Sequence, residues 1–344
     1  MKTMIVWFTT TMALLASPAH AEDGAPTVPQ FEVDAFWPKP LPNKWILGQV
    51  SGIATDRYDR IWVVHRPASL TLRERAAEQN PPEAKCCVAA PPVLVFDQSG
   101  NLLRHWGGAG EGFQWPQSEH GIFIDNNDFV WLAGNGKNDG QLLKFTMDGK
   151  FVLQIGKQGE GNDSNSTTRL GSPADVAVDV AAKEVFAADG YANRRVVVFD
   201  SETGHYKRHW GAYGKPPSDE KTPPYDPAKP PSQQFGNPVH CIRIDTNGLV
   251  YVCDRSNNRL QVFRKDGTFV AEHIYEKATR GTGSVYDLVF SPDQDQKRFG
   301  RPGRQIGQFT ALHDIAVDRQ GNIFTSEVNT GQRVQKFRRI DRQN

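Results

Sequence analysis

The chain has 344 residues, with 40 lysines and arginines against 39 aspartates and glutamates, for a formal net charge of +1. So even a balance leaves no basic surface to draw a phosphate backbone, and nucleic-acid binding is excluded as its task. Nineteen phenylalanines, eight tryptophans and 31 glycines against four methionines suit short strands and tight turns, not amphipathic helices.

In chain order, residues 1–21 (MKTMIVWFTTTMALLASPAHA) join a lysine, an apolar run and a small-residue Ala19-His20-Ala21 ending. That pattern predicts an export signal cleaved near Ala21, and hence a secreted or periplasmic protein starting near Glu22. No later stretch approaches the roughly 20 apolar residues that span a bilayer, so no membrane span is expected. Residues 22–45 read as a lead-in to one domain over 46–340.

Within 46–340 one register recurs: SGIATD (51–56), HGIFID (120–125), ADVAVD (174–179), HCIRID (240–245) and HDIAVD (313–318). A turn and a second apolar strand follow each, as in DNNDFVWLA or DTNGLVYVCD, and then an alternating strand ending in phenylalanine, as in VLVF, LLKF, VVVF, LQVF and VQKF. Several units add a fourth strand, such as NLLRHWG or HYKRHWG. Four antiparallel strands repeated at this period predict an all-β fold, a β-propeller of NHL-type repeats. One unit is worn: after SVYDLVFSPD (284–293) the chain runs through QKRFGRPGRQIGQF to His313. The ring is therefore expected either as six sectors with a truncated fifth blade or as five complete blades. Two proline-rich insertions, about 67–92 and 211–233, are expected as surface loops.

Cys241 and Cys253 flank the hairpin Asp245-Thr246-Asn247-Gly248, where either a disulfide or two buried thiols fits. The adjacent Cys86 and Cys87 admit no assignment, and no Cys-x-x-Cys pair suggests a thiolate zinc site.

The first strand of each propeller blade lines the central channel, so equivalent positions converge there. His120, His240 and His313 hold one such position, with Ser51 and Ala174 in the other two complete units. The chain has only nine histidines, which makes this concentration at one register a signal. Three neutral imidazoles with an open fourth position are the donor set of a catalytic zinc. The start of a first strand and the end of a second lie on the same face of the ring, so His65, Arg66, Tyr191 and Arg255 are expected around the metal. A phenol there can act as a base, and guanidiniums can anchor an anionic substrate.

These segments, GQVSGIATD with VVHRP, SEHGIFID, SPADVAVD with DGYANRR, NPVHCIRID with CDRSNNR, and LHDIAVD, resemble the peptidyl-alpha-hydroxyglycine alpha-amidating lyase family from about 46 to 338. The resemblance implies a catalytic zinc on His120, His240 and His313, a catalytic Tyr191, and active-site arginines Arg66 and Arg255. It also implies a structural calcium on Asp314 and the backbone carbonyls of Ile53 and Ile122. From its chemistry alone, Asp314 equally suits orienting a ligand imidazole. Ala192 stands where animal members have a cysteine. The implied activity is carbon-nitrogen lysis of an alpha-hydroxyglycine-type substrate, small or peptide-derived and anionic, to an amide and glyoxylate, with both arginines lowering the tyrosine pKa. The rival readings are a lactonase-type metal hydrolase and a non-catalytic NHL interaction protein.

Overall fold

The computed structural model describes residues 29–159, 163–290 and 300–340; the expected export signal, residues 1–21, lies outside them. The architecture is all-β: five four-stranded antiparallel blades around a central channel, with only short 3-10 turns as helix among the described residues. The first blade is Gln49–Thr55, Ile61–Arg66, Val93–Phe96 and Leu102–Trp106. The second to fourth begin at Glu119–Ile124, Pro173–Asp179 and Val239–Ile244. The fifth, opening with Leu312–Val317, takes its outer strand from Phe31–Asp34, paired antiparallel with Arg333–Arg339. That pairing joins part of the 22–45 lead-in to the fifth blade.

The recurring aspartate owes its place to the hairpin turn. The Oδ1 of Asp56, Asp125, Asp245 and Asp318 each accepts the backbone N–H groups two and four residues on, at 2.8 to 3.0 Å. The other oxygen then reaches into the blade: Trp62 Nε1 donates to Asp56 at 2.8 Å and Trp131 Nε1 to Asp125 at 2.9 Å. One carboxylate thus satisfies the turn and a buried indole, which would otherwise be costly to bury.

Strand side chains alternate in direction, so each blade offers apolar residues to both neighbours. Trp62 and Val64 pack toward the second blade, on Ile122 and Leu132, while Ile61 and Val63 pack toward the fifth, on Ala316 and Phe324. The fourth blade is the exception. Among the described residues its far face meets no further blade; Cys241, Cys253 and Leu260 pack there against Val285 and Leu288. The worn unit therefore forms no strand in 284–290, and the ring has five blades, but this segment covers the face a sixth would have covered. Cys241 and Cys253 are strand partners joined by a disulfide, and Cys86 and Cys87 form a second. Both insertions run as irregular chain, relieved by 3-10 turns and by Val88–Ala89 pairing in parallel with Trp45–Ile46.

Asp125→Ala removes the turn acceptor and orphans the buried Trp131 indole. It should cost about 2 kcal/mol and lower Tm by roughly 5 °C in a thermal melt, with Asp125→Asn losing less because one oxygen remains.

Candidate metal centre

His120, His240 and His313 open the inner strands of the second, fourth and fifth blades, and the structure brings them together. All three are buried, their ring centroids lie 4.7 to 5.0 Å apart, and their candidate ligand atoms all fall within 4.8 Å of one another. The channel cavity they line is about 10 Å³, room for one water-sized particle.

Each ring is held by the neighbouring channel residue around the ring. His120 Nδ1 lies 2.8 Å from Ala174 O, His240 Nδ1 2.5 Å from Tyr286 O, and His313 Nδ1 2.8 Å from Ser51 O. A carbonyl only accepts, so every Nδ1 carries the proton and every Nε2 presents a lone pair. His240 Nε2 is buried with no hydrogen-bond partner, an orphan of the kind a metal satisfies. Burial, then the nearby imidazoles and guanidiniums, pushes His120 and His240 well below the ordinary imidazole range; burial and Arg66 push His313 down to about 3. The trio stays neutral, as ligation requires. Side chains, tautomers and charge state all fit a metal ion.

Close strand approach makes this geometry possible. A Cβ on Gly52 would lie 2.6 Å from His120 O, and one on Gly121 2.5 Å from Ala174 O. Any larger residue there would push the inner strands apart.

Tyr191 stands beside the trio: its hydroxyl is 2.9 Å from His120 Nε2 and accepts from Arg255 Nη1 at 3.3 Å. It rides a loop clamped by Asp189, whose carboxylate accepts from Gly171 N–H, Asn193 Nδ2 and Arg195 Nε. In the next blade Asp254 clamps the turn bearing Arg255 in the same way, through Gly236 N–H, Asn257 Nδ2 and Arg259 Nε. Arg66 is fixed by Glu119 O at 2.8 Å, Gln49 Oε1 at 3.1 Å and Asn135 Oδ1 at 3.2 Å. Burial pushes the Tyr191 phenol above its ordinary range; Arg255 and Arg66 each pull its pKa down, as expected, but do not reverse the rise.

His65 does not join the site. It is fully buried, accepts Gly48 N–H at Nδ1 and faces Pro91 O through Nε2, while burial takes its pKa down to about 4. Nor does Asp314 orient His313, whose Nδ1 uses Ser51 O instead. The Oδ2 of Asp314 accepts Ile53 N–H at 2.9 Å and its Oδ1 accepts Ile315 N–H at 2.7 Å. Two residues were not singled out from sequence. Tyr286 supplies the carbonyl for His240 and lies under the Arg255 guanidinium, 4.7 Å from its ring centre; Asn135 ties Arg66 to Ser118.

The NHL repeat family model matches residues 239–263, the hairpin and third strand of the fourth blade. NHL repeat-containing protein 3 of Mus musculus is 26% identical over 69% of this chain, and the chain spans 58% of that relative. Peptidyl-glycine alpha-amidating monooxygenase B of Xenopus laevis is 27% identical over 76% of the chain and 27% of its own length. A probable peptidyl-alpha-hydroxyglycine alpha-amidating lyase of Caenorhabditis elegans is 28% identical over 64% of the chain and 57% of its own. Among solved structures, a streptogramin B lyase aligns over 90% of this chain and 98% of that one, with TM-score 0.47 and 12% identity. Fold and site thus define a five-bladed propeller carrying an NHL repeat and a buried three-histidine centre. In sequence it is similar to NHL repeat-containing proteins and to alpha-amidating enzymes.

Elemental analysis checks the centre. The wild-type protein should carry about one metal ion per chain, as a three-histidine site does, and His240→Ala should lose most of it. Unchanged metal content in that variant would remove His240 from the ligand set.

Proposed function

We propose that the protein is an exported zinc-dependent lyase that breaks the carbon-nitrogen bond of alpha-hydroxyglycine-type substrates, giving a primary amide and glyoxylate. One observation carries the reading: three Nε2 lone pairs converge where a phenol touches one ligand ring and a guanidinium touches the phenol. The similarity to alpha-amidating relatives supports it. The two disulfides suit an oxidising compartment and support export. Among the described residues no helix is long and apolar enough to cross a membrane.

A zinc ion on the three imidazoles would act as a Lewis acid on the substrate's hydroxyl oxygen. Tyr191, as phenolate, takes the hydroxyl proton; the oxygen's electron pair forms the aldehyde C=O while the C–N bond breaks. The leaving nitrogen is protonated, so the hydroxyl proton ends on the amide and the balance closes. Arg66 and Arg255 hold the substrate carboxylate. Arg255 is the more available of the two, since its Nε is bound to Thr282 O and its Nη1 to the reacting phenol, whereas three bonds already pin Arg66. Arg255 beside the phenol also favours the phenolate over the phenol, offsetting part of the burial cost.

Tyr191→Phe removes the base and leaves all three imidazoles. On an alpha-hydroxyglycine substrate kcat should fall by about 10²–10⁴-fold with the bound metal unchanged. Wild-type turnover by this variant would refute Tyr191 as the base, and no turnover by the wild-type protein would refute the reaction.

A further inference from the structure

Next along the channel from the histidines lies a second cluster, built from the residues that follow the channel-lining ones. Asp175 follows Ala174, Asp287 follows Tyr286, and Asp314 follows His313. Each carboxylate fastens its own sector to the next: Asp175 accepts Ile242 N–H at 3.1 Å, Asp287 accepts Ile315 N–H at 3.2 Å, and Asp314 accepts Ile53 N–H at 2.9 Å. In their midst is the guanidinium of Arg243, from the inner strand of the fourth blade. Its Nη1 donates to Asp175; its Nη2 lies 2.9 Å from Asp287 Oδ1 and 3.7 Å from Asp314 Oδ1. One planar cation reaches carboxylates from three separate parts of the ring, a task for a rigid fork of donors.

The structural calcium expected on Asp314, Ile53 O and Ile122 O does not fit this arrangement. A hard divalent cation needs converging oxygens, yet both Asp314 oxygens serve backbone N–H groups and one of them faces Arg243. The carboxylates of Asp175, Asp287 and Asp314 instead converge on the Arg243 guanidinium, which occupies the place between them that a cation would take.

We propose that the Arg243 guanidinium is the resident structural cation of this channel, standing in the place of a divalent ion and tying the third and fifth blades and the 284–290 segment to the fourth. The ring therefore carries its closing charge covalently and has no calcium requirement. Asp287 belongs to this knot, so the worn sixth unit retains the two channel residues the ring still uses, Tyr286 for its carbonyl and Asp287 for its charge.

The test is calcium dependence, a readout separate from turnover. For the protein as purified, Ca²⁺ added in a calorimetric titration should give no saturable heat, and millimolar Ca²⁺ should leave Tm unchanged. Arg243→Ala leaves three buried carboxylates without their cation; Tm should fall by roughly 10 °C, and millimolar Ca²⁺ should restore part of the loss. Arg243→Lys, a point charge in place of a fork, should fall between the two. Stoichiometric calcium in the wild-type protein, or a wild-type Tm that climbs with Ca²⁺, overturns the proposal. So does an Arg243→Ala variant that melts like wild type or gains nothing from Ca²⁺. If Arg243→Ala does not fold, the wild-type titration and the Arg243→Lys melt still decide.

Discussion

Each channel histidine gives its Nδ1 proton to a carbonyl of the adjacent inner sector, and the centre depends on that bond. It fixes the tautomer and aims Nε2 inward, and its partner is backbone, so no side-chain change can supply or remove the acceptor. The acceptors Ala174, Tyr286 and Ser51 occupy the same register as the histidines they serve. Donor and acceptor therefore alternate around the channel. Ser51, Ala174 and Tyr286 thus serve the centre through backbone oxygen alone, whatever their side chains.

That alternation needs six places, whereas the ring has five blades. The 284–290 segment reconciles the two numbers. It has lost the strands of a blade but keeps its inner edge, with Val285 and Leu288 sealing the fourth blade over the Cys241–Cys253 disulfide. Burial is thus maintained with less chain, and the site keeps near-even spacing of its ligands.

The blades and histidine trio were legible from sequence because both rest on one register, which a repeating hairpin reports through its turn aspartate. Tyr286 and Asp287 share that register, since SVYDLVF aligns with LHDIAVD, but the missing strands after it hid the match. His65 was misplaced because neighbouring strand residues face opposite sides: with Arg66 turned toward the site, His65 has to turn into the blade. The outer strand Phe31–Asp34 could not be found locally, for its partner lies some 300 residues downstream. The Tyr191 pKa turned on competition between burial and two cations, and sequence supplies the cations without the depth.

The pairing of Phe31–Asp34 with Arg333–Arg339 bears on how the molecule is made. Local hairpins can form as the chain emerges, but the last blade stays a strand short, its edge open, until distant parts of the polypeptide meet. Contacts of such long range are slow to form, and an unpaired edge invites pairing with another molecule. Trimming to residue 46 would make that open edge permanent, so for this ring the stretch ahead of the repeats is a clasp and not a tether.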